Sequence, residues 1–291
     1  MSLNNRPEVA LAIYLHACEQ ELQAFKPGNV SLHSEGHDMT VEDFQKSAKA
    51  SAPCLCNSAL CLGERIYRAI EATRKAVGCN TNLGIVLLAA PLILAFESCE
   101  PDESLHGAVS RILQQTTLTD ADWVFKAIQH AQPGGLGSAP EQDVSDAPTT
   151  NLLAAMILAK DRDSIARQYA TSFQDVFQFA IPLYHARLSL WDNKEWVIVA
   201  LFAGLLIQFP DSHVERKFGA QHNRLIHDRM RQVEVMLSDP GKSPLEAMPL
   251  LREIDTEFKS RGINPGTTAD LVVACLVAVG LSEALDHAGS R

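Results

Sequence analysis

The sequence is short of the features that would place it quickly. Its seven cysteines (Cys18, Cys54, Cys56, Cys61, Cys79, Cys99, Cys275) are odd in number and contain no C-x-x-C pair. Neither a structural zinc site nor a disulfide framework is expected; reduced thiols in a cytoplasmic protein are. Basic residues are outnumbered, 25 Lys and Arg against 35 Asp and Glu, for a net charge of −10. That excludes a general nucleic-acid binder, which needs a basic face. It leaves room for a nucleotide substrate, whose phosphates a few cations and a metal ion can hold. The longest apolar runs, 84–96 and 196–209, fall short of the roughly 20 residues of a membrane span. They fit buried helices, and no membrane partner is expected. Residues 1–7 carry no apolar signal core. No segment alternates as a strand would, and there is neither an internal repeat nor a clear linker.

What remains is helical periodicity over most of the 291 residues, 46% of them apolar. Residues 8–25 repeat apolar side chains at helical spacing, with Pro7 suited to a first helical position. Thr40 followed by Glu42 and Asp43 predicts an N-cap, and Pro53 is expected to separate two helices. Further helices are expected over 84–96, 105–115, 121–131 (opening at Thr119–Asp122), 149–160, 164–180, 182–190, 194–209, 214–237 and 271–285. Ser243 and Glu246 form a capping box opening a helix to about Arg261, with Gly262 just past its end. The expected fold class is all-α, a single domain over 1–291 with buried central apolar helices. A homodimer is compatible with this apolar content.

Polar, glycine-bearing loops interrupt the helices at 26–39, 78–84, 211–219 and 264–270, and three of them border the most apolar helices. Function tends to live on loops held by a rigid scaffold. The first gathers Lys26, Pro27-Gly28, His37 and Asp38. The second carries Asn80 and Asn82 before an apolar helix, whose N-terminus is an anion site as well as a capping problem. The third has Asp211, Arg216 and Lys217, and the fourth Asp270. If the loops converge, Asp38, Asp211 and Asp270 would suit Mg²⁺, and Lys26, Arg216 and Lys217 would suit phosphate oxygens. Each residue also has a bland reading: Asp211 as an N-cap after Pro210, Asp270 as a first-turn carboxylate paired with Thr267. The stretch 132–148 is long enough for a functional loop, and its Asp143 and Asp146 could reach a site.

Lys26-Pro-Gly with Gly36-His-Asp-Met39, then Asn80-Thr81, then Asp211 to Gly219 with Arg216-Lys217, and Pro265-Gly with Ala269-Asp270-Leu271 resemble the triphosphoribosyl-dephospho-CoA synthase family, in the family's order and over most of the chain. Asn82-Leu83-Gly84 replaces the His-Lys and Gly that usually follow Asn-Thr. The chain therefore resembles a divergent branch, of the sort found in organisms with methanopterin-type one-carbon cofactors. The resemblance implies an all-helical transferase that joins ATP, through its ribose C1′, to the 2′-hydroxyl of dephospho-CoA or a related acceptor and releases adenine. With the loops, that reaction leads to the expectation of Mg²⁺ on the triphosphate, held by some of Asp38, Asp211 and Asp270, with Lys26, Arg216 and Lys217 on the phosphates. Asn80 and Asn82 would hold sugar hydroxyls or the base edge. His37 is the expected general base, with Asp38 and Glu21 as rivals, and a carboxylate would stabilise charge at C1′. Other readings are a nucleotide-dependent step in another cofactor pathway, a non-catalytic nucleotide-binding helical protein and a purely structural interaction protein.

Overall fold

A helix that is apolar on every side must lie inside a protein, and two such helices organise this one. In the computed structural model, which describes residues 5–32, 34, 39–134, 137–239, 241 and 243–289, these are α4 (Leu83–Ser98) and α14 (Gly266–Gly289). From Leu83 to Ile93 every α4 side chain is buried. By length and apolarity α14 could cross a membrane, yet it runs through the middle of the protein against α4, α1 (Arg6–Gln23) and α10 (Lys194–Gln208). Val272, Val273, Cys275, Val277, Ala278 and Leu281 on it are fully buried. Gly280 lets α1 approach, since a methyl group there would stand 2.8 Å from Ile13 Cγ2.

The other helices wrap this pair into one contiguous hydrophobic core. They are α2 (Val41–Leu55), α3 (Leu62–Val77), α5 (Leu105–Gln114), α6 (Leu118–Ala131), α7 (Leu152–Ala159), α8 (Ser164–Ala170), α9 (Ile181–Leu188), α11 (Ser212–Phe218), α12 (Asn223–Leu237) and α13 (Met248–Ser260). Among the described residues there is no β-strand, only an isolated bridge between Ser31 and Ser34. Sequence-encoded caps set several boundaries. Thr40 with Asp43, and Ser243 with Glu246, form reciprocal capping boxes, each satisfying backbone donors a helix start leaves open.

Five boundaries differ from expectation, the first being that α14 opens at Gly266 and not near Leu271, which puts Asp270 in its first turns. Pro53 does not divide helices: it lies in the last turn of α2, and the break falls at residues 56–61. Helix α6 starts at Leu118 because Thr117 and Asp120 make the capping box. The stretch 164–180 is broken by Ser172 (φ 52°) and Phe173 (φ 63°), after which Asp175–Ala180 forms a π-helical turn. The stretch 214–237 is likewise split, by a 3₁₀ turn at Gly219–His222.

A buried ion pair and a second arginine fix the C-terminal end of α4. Arg65, 1% exposed, reaches Glu97 at 2.7 Å and donates to the carbonyls of Leu55 and Leu60. Arg6 donates to the carbonyls of Phe96, Glu97 and Cys99, neutralising the negative end of α4.

Candidate active site

Residues from all four polar loops line one cavity of about 290 Å³. The 26–39 loop contributes Asn29 and Met39, the 78–84 loop Asn80 and Thr81, α11 His213 and Arg216, and the start of α14 Asn264, Gly266, Thr267 and Asp270. The first loop is held in place from α13. Gly28 (φ +81°) donates its N–H to Asp255 Oδ1 at 2.8 Å, and a methyl group there would meet Ile263 O at 2.8 Å. Ser34 donates to the other Asp255 oxygen at 2.6 Å, and Asn29 Nδ2 donates to Asn264 Oδ1 at 2.8 Å. Lys26-Pro-Gly is thus a docking segment as well as a turn.

Asp270 is the most exceptional group in the cavity. Its carboxylate has no hydrogen-bond partner among the described residues, and it packs directly on the backbone of Gly84. Burial first, then the charges of Asp211 and Glu21, push its carboxyl well above the usual range, and Arg216 pulls the other way. An unpartnered carboxylate of this kind is costly to keep charged, so it is poised to receive a cation. The other cavity carboxylates are already paired. Asp163 caps α8 through Oδ1 and accepts from Arg216 at 2.6 Å through Oδ2. Glu21 pairs with Lys26 at 3.0 Å.

The remaining expected site residues fall elsewhere. His37 and Asp38 lie outside the described residues. Lys26 does not line the cavity: it is 0% exposed, and its ammonium is taken up by Glu21 Oε1 and the carbonyls of Glu21 and Ala24. Lys217 does not line the cavity either; its Nζ lies over the Phe218 ring, 3.5 Å from the Gly262 carbonyl. Asp211 is spent on structure, so the bland reading describes it. Its Oδ1 accepts from the Val214 N–H at 3.0 Å, and its Oδ2 from the Thr268 N–H and hydroxyl at 2.7 and 2.8 Å. Burial raises its pKa despite these bonds. The bland reading of Asp270 does not describe it: no hydrogen bond joins it to Thr267, whose hydroxyl accepts from Ser212.

Asn80 is in the cavity wall, where its Oδ1 also accepts from the Leu83 N–H at 3.2 Å. Asn82 is not. Only 3% exposed, it donates to Ser51 at 3.3 Å and turns an unpartnered Oδ1 inward, beside a void of about 10 Å³ shared with Tyr14, Cys18 and Glu21. Asp143 folds back on its own loop, accepting from the backbone of Ala139 and Ser145, and is held low, at about 2, by those bonds. No group of three or more His, Cys, Asp or Glu side chains is gathered as for a metal among the described residues. Asp211 and Asp270 therefore have no third such side chain gathered with them among the described residues, and Asp38 lies outside those residues.

Sequence reasoning missed Asn29, Asp163, His213 and Asn264 as cavity residues. Asp163 sits in the charged junction 161–163 and had a signal, its position immediately before an apolar-periodic run. Phe125, Ile128, Leu152, Ala155 and Met156 of α6 and α7 give the cavity apolar lining, and Pro133, Gly134, Gln142 and Val144 of the 132–151 stretch line it as well.

The family model for ATP:dephospho-CoA triphosphoribosyl transferase (CitG) matches residues 8–288. A solved structure from Archaeoglobus fulgidus, described as a candidate triphosphoribosyl-dephospho-CoA synthase, has the same fold. It superposes with a TM-score of 0.61 at 21% identity, covering 80% of this chain and 97% of that one. No curated protein matches the sequence. Fold, cavity and family model together define an all-α transferase. The chain belongs to the ATP:dephospho-CoA triphosphoribosyl transferase family, and its activity is of the triphosphoribosyl-dephospho-CoA synthase kind. The readings as a step in another cofactor pathway or as a non-catalytic binder gain no support from these matches.

Proposed function

We propose that the cavity takes ATP and dephospho-CoA, and that the acceptor's 2′-hydroxyl displaces adenine at C1′ of the ATP ribose while the triphosphate stays on the sugar. The observation that carries this reading is the unpartnered Asp270 carboxylate inside a cavity that all four polar loops line. As the C1′–N bond breaks, positive charge grows on the sugar. A fixed carboxylate in a poorly hydrated site stabilises such charge far more than water does. Arg216 and Arg162, with the N-termini of α4 and α14, give the triphosphate its counter-charge. Arg216 is already oriented by Asp163. Asn80 and Asn264 offer amides for ribose hydroxyls or the base edge.

The donor set fits Mg²⁺ carried in with the nucleotide. That ion takes oxygen ligands and keeps one or two carboxylates beside substrate phosphates. Asp270 is the carboxylate that would hold it, and when bound the ion would neutralise triphosphate charge. Seven free thiols suit a reducing cytoplasm.

The test is to incubate the pure protein with ATP and Mg²⁺, with and without dephospho-CoA, and to measure free adenine. Adenine that appears only with dephospho-CoA supports the reaction and its acceptor. Adenine that appears with another hydroxyl compound instead keeps the chemistry and replaces the acceptor. Bound ATP with no adenine under any condition defeats the proposal.

A further inference from the structure

Glu21, on the wall of the cavity, forms an internal ion pair with Lys26 behind it, and the mechanism above gives the two nothing to do. We propose that Glu21, held by Lys26, is the catalytic base that takes the proton of the attacking hydroxyl; the inference rests on the triphosphoribosyl-transfer reading.

The geometry assigns the roles. An ammonium has three donors, and Lys26 places all three on oxygens of its own segment: the carbonyls of Glu21 and Ala24, and Glu21 Oε1. None is left for a phosphate. One Glu21 oxygen is held by that contact at 3.0 Å. The other has no hydrogen-bond partner among the described residues, and Glu21 lines the cavity that also holds Asp270. A buried ion pair is poor value as a stabiliser, because desolvation offsets most of its attraction and apolar residues of like size do as well. It is here also set near the C-terminal end of α1, where the helix dipole disfavours a carboxylate. A charged oxygen kept open to a cavity at such cost is explained by chemistry at that oxygen. Burial moves Glu21 above the usual carboxylate range and Lys26 below the usual amine range, each partly offset by the other. Both shifts bring the pair toward the pH at which a base works best.

In the step itself, the acceptor's O–H proton passes to the open Glu21 oxygen as the new O–C1′ bond forms. The C1′–N bond breaks and its electron pair leaves on adenine, which takes a proton from water, and Glu21 returns its proton to water, so charge and atoms balance and the base is restored.

The groups that face Glu21 are few. Lys26 comes from its own loop, Cys18 and Tyr14 from the preceding turns of α1, and Asp270 from α14; burial pushes the Tyr14 phenol up, so it stays protonated. Phe44 and Ala48 of α2, with Asn82 and Ile85, bring no titrating group. Arg162, Asp163, His213 and Arg216 stand elsewhere on the cavity wall. Burial holds the Cys18 thiol at about 12, so it stays protonated through an assay range below that.

The experiment compares wild type with Glu21→Gln, with Lys26→Met, and with the Glu21→Gln/Lys26→Met double variant, which leaves no buried charge alone. Adenine release is followed against pH, and ATP affinity is measured by titration calorimetry. The expected result for the double variant is ATP affinity within about threefold of wild type and turnover reduced at least about 100-fold, the usual size of a lost general base. Lys26→Met is expected to keep turnover at high pH but to move the acidic limb of the profile upward, because Glu21 has lost its cation. A structural pair would instead lower both turnover and ATP affinity without moving the limb, and that result overturns the inference. So does a double variant that binds ATP and turns over within tenfold of wild type. A wild-type protein that releases no adenine overturns the reading beneath it as well.

Discussion

Gly84 and Asp270 share a space that only one side chain can occupy. A methyl group on Gly84 would stand 2.0 Å from Asp270 Oδ2 and 2.5 Å from its Cγ. The first turn of α4 thus lacks a side chain where the carboxylate of α14 must lie. Gly84→Ala should therefore forfeit activity by at least about 100-fold, the loss typical of a displaced catalytic group. It should not unfold α4, since alanine favours a helix by about 1 kcal/mol over glycine. Adenine release and far-ultraviolet circular dichroism on the same sample check both halves.

Asp270→Asn keeps the shape of the side chain and removes its charge. Loss of electrostatic stabilisation of this kind costs about 100- to 1000-fold in turnover. The loss should fall on kcat more than on KM for the acceptor, measured by steady-state adenine release.

Arg216 and Lys217 are neighbours in sequence with different surroundings. Arg216→Ala removes a cavity cation and leaves Asp163 without its partner, so KM for ATP should rise about 10- to 100-fold, in line with a lost charge-assisted contact. Lys217→Ala should change it by less than about twofold, as expected of an exposed charge. Comparable effects in the two variants would contradict the placement of these side chains.

Asp211 should behave as a structural residue. Asp211→Ala removes an N-cap and leaves the Thr268 donors open, a loss of about 2 kcal/mol from the cap and its bonds. Thermal unfolding should move down by about 5 °C, with ATP still bound below the transition.

Stability of the ligand-free protein should fall as pH rises. Burial raises both Asp211 and Asp270 in the folded state, so the folded chain holds protons that the unfolded chain has released. Their contribution is fully present below the unfolded carboxylate value of about 3.9 and is lost as pH rises through the higher folded values. Asp270→Asn removes the largest part of this slope. The variant should melt at a higher temperature than wild type at pH 8 and at a similar one near pH 4, in scanning calorimetry without nucleotide.

Much of this protein is determined by its sequence alone, because the deciding interactions are local. Thr40 with Asp43 and Ser243 with Glu246 cap helices three residues apart, and the unbroken apolar character of 84–96 can only be satisfied inside. The four polar loops stand out because glycine and short polar residues interrupt helical periodicity. What the sequence could not reveal is which way a charge points. Lys26, Asp211, Arg216 and Asp270 are all charged residues in polar stretches of the sequence, yet the first two are consumed by Glu21 and Thr268 while the last two face the cavity. The choice depends on contacts between elements far apart in the chain. Asp211 is occupied because the start of α14 crosses the start of α11, 57 residues away in sequence. Asp270 is open because Gly84, on another helix, has no side chain to cover it. A helix boundary is decided within one turn, but the solvation of a carboxylate is decided by whatever the folded chain brings beside it.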